Sequence, residues 1–151
     1  MGLNAVYGIE VAAWRYFNVF GTRQDPISQY SGVIPKFLSQ ALGGVPLVAD
    51  GDGTHSRDFT YVDNVAAATL AAGERRLDGP LICSAGCGLS HTVLALAEAV
   101  GRVAERAVQI EFVPARPECA GTAAAEPLAD AADELAMMRS DLSARGAGAG
   151  L

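Results

Sequence analysis

Apolar side chains at Val33, Ile34, Phe37, Leu38, Ala41 and Leu42 follow the i, i+3, i+4 spacing of one helix face, and Pro35 falls where a first turn tolerates it. Gly43 and Gly44 end the run, so the spacing predicts a helix between them and residue 33. A second face of the same period, Val93, Leu96, Ala97 and Val100, predicts a helix over residues 92–103. Between these the period changes to two. Arg57, Phe59 and Tyr61 alternate with Asp58, Thr60 and Val62, which predicts a strand over residues 57–62 reached through a Gly51-Asp52-Gly53 hairpin turn. Asp63 then stands where it would cap a helix running to about Gly73. Short apolar or β-branched runs predict further strands over residues 10–17, 46–49, 81–85 and 108–113. Gly8 has the place of a C-cap, with residues 1–6 expected as the tail of a longer helix. The polar stretch 22–31, with Pro26, predicts a loop. Helices and strands alternate, which is the α/β class. From Cys119 the chain becomes Ala-rich, with a helix expected over 127–138 and a disordered Gly/Ala end over 145–151.

Composition narrows the classes. A chain of 151 residues, 50% hydrophobic, can bury one core. Its net charge of -6, from 11 Lys plus Arg against 17 Asp plus Glu, lacks the basic footprint of a nucleic-acid or anionic-membrane binder. An anionic ligand must therefore be held by a few placed arginines. No apolar run approaches the roughly 20 residues of a membrane span, and no basic segment leads into an apolar one at the N-terminus, so a soluble, cytoplasmic protein is expected. Three cysteines, Cys83, Cys87 and Cys119, without CxxC or HxxxH spacing argue for reduced thiols and no metal site. Cys87 in the string SAGCG reads as a thiol filling a tight turn rather than as a nucleophile.

Five strings carry more. RYFNVFG (residues 15–21), RQDP (23–26), SGVIPKF (31–37), GDGTHSRDFTYVDNV (51–65) and PARP (114–117) occur in an order and spacing that closely resemble the C-terminal half of the NAD-dependent epimerase/dehydratase family. These are the extended short-chain dehydrogenases that act on nucleotide sugars. The resemblance spans about residues 4–117 and is nearest to UDP-N-acetylglucosamine 4-epimerases and UDP-glucose 4-epimerases. It implies the last strands of a Rossmann-like sheet plus a small α/β substrate-binding domain over residues 1–118, and leaves 119–151 as a divergent segment.

The resemblance also implies roles. Asn18 would hydrogen-bond the nucleotide sugar, Tyr16 and Val19 would lie near the nicotinamide of NAD, Val33 would lie along the uridine and sugar, and Arg57 and Arg116 would contact the diphosphate. A polar Asn in an apolar strand ending at Gly21 fits the carboxyl edge where α/β sheets bind ligands. Two guanidiniums give a diphosphate bidentate, charge-assisted bonds that lysine does not reproduce. Structural alternatives stand beside these roles: Asn18 as a strand-end cap, Val33 as core, and Arg57 paired with Asp58 or Asp52. Arg116 paired with Glu118 is a further one. Phe59 and Tyr61 serve either as core or as a stacking surface for a base.

The departures matter equally. The sequence has no GxxGxxG for a pyrophosphate and no Tyr-xxx-Lys pair; four residues after Tyr7 stands Val11, and Lys36 is the one lysine of the chain. Ser84 stands where the family has Asn, and Glu118-Cys119 follow PARP where it has Gly-Asp. Only Leu128-Ala129-Asp130 echoes its closing helix. The implied function is the substrate-binding side of a UDP-hexose or UDP-N-acetylhexosamine 4-epimerase, with no catalytic residue of its own and no activity alone. A separate N-terminal NAD-binding half, or self-association, would be its protein partner. A non-catalytic UDP-sugar-binding module and a nonfunctional remnant are the alternatives.

Overall fold

The computed structural model describes residues 6–74, 79 and 81–115. Its elements in chain order are β1 (Ala12–Tyr16), β2 (Val19–Phe20), α1 (Val33–Gly43), β3 (Leu47–Asp50), β4 (Ser56–Arg57), β5 (Thr60–Tyr61), α2 (Val62–Gly73), β6 (Leu81–Ala85), β7 (His91–Thr92), α3 (Val93–Ala104) and β8 (Ile110–Val113). The class is α/β, as the alternation predicts.

The two helices with the clearest apolar faces build the core. α1 buries Ile34, Phe37, Leu38 and Ala41, and α3 buries Val93, Leu96, Ala97 and Val100. They pack on each other and on Leu47 and Ala49 of β3, with Phe20 and Tyr61 closing one end. Their ends follow from sequence. Gly44 takes φ +70°, and the Gly44 and Val45 N–H groups close the helix on the Ala41 and Gln40 carbonyls. Thr92 Oγ1 accepts the Ala95 N–H at 3.0 Å and caps α3.

Four strand pairs are present among the described residues. β1 pairs with β6, β2 with β5 and β3 with β8, all parallel, while β4 pairs with β7 antiparallel. The register sets Trp14 beside Cys83 and Tyr16 beside Ala85. One face of the β1–β6 pair is covered by α2, where Tyr16 Oη lies 3.3 Å from Thr69 Oγ1. On the other face Ala13, Arg15, Ile82 and Ser84 are exposed. Among the described residues no helix is long and apolar enough to cross a membrane.

Several expectations need correction. The strand expected over 57–62 is two short strands, β4 and β5, in different sheets. Between them the Asp58 carboxylate accepts the backbone N–H groups of Cys87 and Gly88, far along the chain, and the ladder is interrupted at residues 58–59. The 51–53 turn joins no hairpin: β3 takes β8 as partner and β4 takes β7. Asp63 is not the cap of α2. Tyr61 holds that position, and Asp63 sits in the first turn, where its charge suits the positive helix end. The strands expected over 10–17 and 108–113 are shorter than predicted, Ala12–Tyr16 and Ile110–Val113. Arg116, the 127–138 helix and the 145–151 tail lie outside the described residues.

Candidate ligand-binding cleft

A cleft of about 590 Å³ opens between β2, the 22–31 loop, the first turn of α1, the end of β3 and residues 55–59. That volume falls in the range of small-molecule sites. Asn18, Val19, Val33 and Arg57 all line it, although 39 residues separate Asn18 from Arg57. Tyr16 is not among its walls; its ring is half exposed on the β1–β6 pair, with its hydroxyl toward Thr69.

Asn18 ties two segments together and also lines the cleft. Its Nδ2 donates to the Asp58 carbonyl at 3.0 Å, and its own carbonyl accepts the Thr60 N–H at 3.4 Å, so it links the start of β2 to the segment between β4 and β5. A carbonyl only accepts, which fixes the amide orientation and sends Oδ1 away from Asp58. Arg57 directs Nη1 to the Ser56 carbonyl at 2.8 Å while lining the cleft. The Asp58 carboxylate accepts from Cys87 N at 3.0 Å and Gly88 N at 2.9 Å, and that of Asp52 accepts from Thr54. Val33 is half-buried at the helix start, and so belongs to the cleft wall and the margin of the core together. Of the two aromatics, Tyr61 is core, whereas Phe59, also buried, shows an edge to the cleft.

Charged and ring-nitrogen side chains gather in the cleft. Arg57, Lys36 and His55 line it, with Asp50 the acidic member. The N-terminus of α1 opens at the same place, and no side chain caps it at Gly32. In a chain of net charge -6, Arg57 and Lys36 thus stand with the uncapped N-terminus of α1 on one cleft, and all three favour negative charge there. Two polar oxygens line the same cleft. Gln24 Oε1 and Ser31 Oγ are buried in the wall with no hydrogen-bond partner among the described residues. A buried oxygen left without a partner costs on the order of 1–3 kcal/mol, so each of the two is open to a water or a ligand donor.

By contrast, the start of α3 is closed to a ligand: the N–H groups of Val93, Leu94 and Ala95 go to His55 O, Gly53 O and Thr92 Oγ1. The described residues thus offer no glycine-rich strand-to-helix turn with free N–H groups, and they do not fit the pyrophosphate of NAD.

The sequence alone assigns no cleft role to Gln24, Ser31, Lys36, His55 or Asp58. Gln24, Ser31 and Lys36 lie inside RQDP and SGVIPKF, so polarity within those strings was a usable signal. Asp58 had none, because its partners Cys87 and Gly88 are 29 and 30 residues away.

The model of the NAD dependent epimerase/dehydratase family matches residues 2–83. A UDP-N-acetyl-alpha-D-glucosaminuronate decarboxylase of Bacillus cytotoxicus is 34% identical over 110 residues, covering 73% of this chain and 34% of that protein. Among solved structures, a UDP-N-acetylglucosamine 4-epimerase from Methanobrevibacter ruminantium, in complex with UDP-N-acetylmuramic acid, superposes with a TM-score of 0.86 at 32% identity, over 95% of this chain and 49% of that one. A Thermus thermophilus UDP-glucose 4-epimerase, in complex with NAD, gives 0.78 at 27% identity over 94% and 49%. The chain thus spans about half the length of these solved structures and about a third of that curated relative.

Proposed function

The chain belongs to the NAD dependent epimerase/dehydratase family, and from that premise we propose that its cleft binds a UDP-hexose or UDP-N-acetylhexosamine as the substrate side of a nucleotide-sugar 4-epimerase. The observation that carries the reading is the convergence of Asn18, Val19, Val33 and Arg57 on one cleft that also gathers Lys36 and His55. Arg57 is the diphosphate ligand in this reading, with Arg116 as the second, and the open N-terminus of α1 adds to the field on the anion. Asn18 offers Oδ1 to a sugar hydroxyl, and Val33 and Phe59 give an apolar surface for the uridine and sugar. The unpartnered Gln24 Oε1 accepts from a ligand O–H or N–H.

NAD is the cofactor of the complete enzyme in this proposal, and supplies hydride transfer there. Val19, on the cleft wall, and Tyr16, on the neighbouring strand, border the nicotinamide; the residues that hold its pyrophosphate come from a separate N-terminal half. The face of β1–β6 bearing Ala13 and Ile82 is where that half packs, because parallel sheets are normally covered on both sides. The reading includes a cytoplasmic location; Cys83 and Cys87 are not paired with each other.

Thermal melting of the chain with UDP, UDP-glucose and UDP-N-acetylglucosamine tests the reading, since a ligand held only by the folded state raises the melting temperature. The expected result is a rise with each compound and none with uridine. Equal melting with and without all of them would overturn it.

A further inference from the structure

Asp58, half-buried beside the cleft, gathers three long-range hydrogen bonds. Its carboxylate accepts two backbone N–H groups from the turn after β6, Cys87 to Oδ1 at 3.0 Å and Gly88 to Oδ2 at 2.9 Å. Its carbonyl accepts from Asn18 Nδ2 at 3.0 Å. Residue 58 is thus held from the side of β6 through its side chain and holds β2 through its backbone. Charge-assisted bonds from a carboxylate to backbone N–H groups are about twice as strong as neutral ones, and two of them fix both oxygens of one group. Arg57 precedes Asp58 and follows any shift in its backbone.

We propose that Asp58 is a positioning residue of the cleft: by clasping the Cys87 and Gly88 N–H groups, its carboxylate sets the carbonyl that orients the Asn18 amide and holds Arg57 toward the ligand. The inference rests on the nucleotide-sugar reading for its ligand, while the clasp rests on the hydrogen bonds alone. Gly86 is a second part of the device. A Cβ there would stand 2.5 Å from Asp58 Oδ2 and 3.0 Å from the Phe17 ring, so the turn approaches closely enough to be clasped only because residue 86 has no side chain.

Two measurements on the full chain test this together. The first is amide hydrogen exchange at Cys87, Gly88 and Thr60 in wild type, Asp58→Asn and Gly86→Ala. Cys87 and Gly88 report the clasp, and Thr60, whose N–H bonds the Asn18 carbonyl, reports the placement of Asn18. Asn keeps one acceptor oxygen and turns an NH2 toward the other N–H, so it breaks the clasp at nearly constant size. Gly86→Ala breaks it from the opposite side and carries the test if Asp58→Asn fails to fold. The second measurement is UDP affinity by calorimetry in wild type, Asn18→Ala, Asp58→Asn and the double variant.

The expected result is faster exchange at all three amides in both variants. UDP binding in Asp58→Asn falls about tenfold, and adding that change to Asn18→Ala costs much less than it does alone, the sign of residues acting in series. Faster exchange at Cys87 and Gly88 with Thr60 and UDP affinity unchanged would make the clasp a local loop staple and overturn the proposal, as would additive losses in the double variant. Should wild type not bind UDP, the functional reading fails by itself, and exchange at Thr60 alone decides whether Asp58 positions Asn18.

Discussion

Phe20 meets Tyr61 edge to face, with ring centroids 5.5 Å apart and planes at 61°, and the contact joins β2, which follows Asn18, to β5, which follows Arg57. Both rings are buried, and the strands pair in parallel with Phe20 opposite Tyr61. Phe20→Ala is expected to cost about 3–5 kcal/mol of stability, as large aromatic truncations do. It should also weaken UDP binding, because the two sides of the cleft lose their common anchor. Phe20→Leu should lose less of both, and denaturant unfolding with calorimetry on the two variants checks the order.

Asp52 gives a dependence on pH. Its carboxyl is held below the usual carboxylate range, chiefly by the hydrogen bond from the Thr54 hydroxyl and then by the Thr54 N–H. A depressed folded-state value means that the stability it brings is present above the ordinary carboxylate range and is lost as pH falls through the lowered value. The group is fully exposed, so the effect is local to the turn. Titration of the Asp52 side-chain carbonyl by NMR should show the low midpoint, and Thr54→Ala should move it upward. An unchanged midpoint in Thr54→Ala would show that the hydroxyl is not its cause.

How far the sequence carried can be judged residue by residue. Helix faces were legible: Leu38 and Leu96, both fully buried, lie on the faces their spacing marked. Periodicity works there because a helix repeats one local rule along its length. The 57–62 stretch misled for a definite reason. An alternating pattern reports which way side chains point but not which strand is the partner, and Asp58 answers to residues 87 and 88, not to its neighbours. For the cleft, Asn18, Val19, Val33 and Arg57 were legible through the motifs, whereas Gln24 and Ser31 needed the fold to reveal oxygens without partners.

The exposed face of the β1–β6 pair predicts association. Ile82 is 49% exposed and Phe17 44%, while α2 covers only the opposite face. A parallel pair open on one face and at its edges presents a surface for another chain. Size-exclusion chromatography with light scattering should find the chain alone larger than a monomer, and Ile82→Lys should reduce that size. A monodisperse monomer with a cooperative melt would contradict it.

Calorimetric titration of UDP into wild type and Arg57→Ala bears most directly on the central claim, that this cleft holds the nucleotide part of a nucleotide sugar. Wild type is predicted to bind UDP, and Arg57→Ala to lose about 1.5–3 kcal/mol of that affinity, the worth of hydrogen bonds to a charged group, with Arg57→Lys recovering only part because an ammonium lacks the planar fork. Melting temperatures of the variants close to wild type would separate lost binding from lost fold. UDP affinity unchanged in Arg57→Ala, or no binding by the folded wild type, would contradict the account.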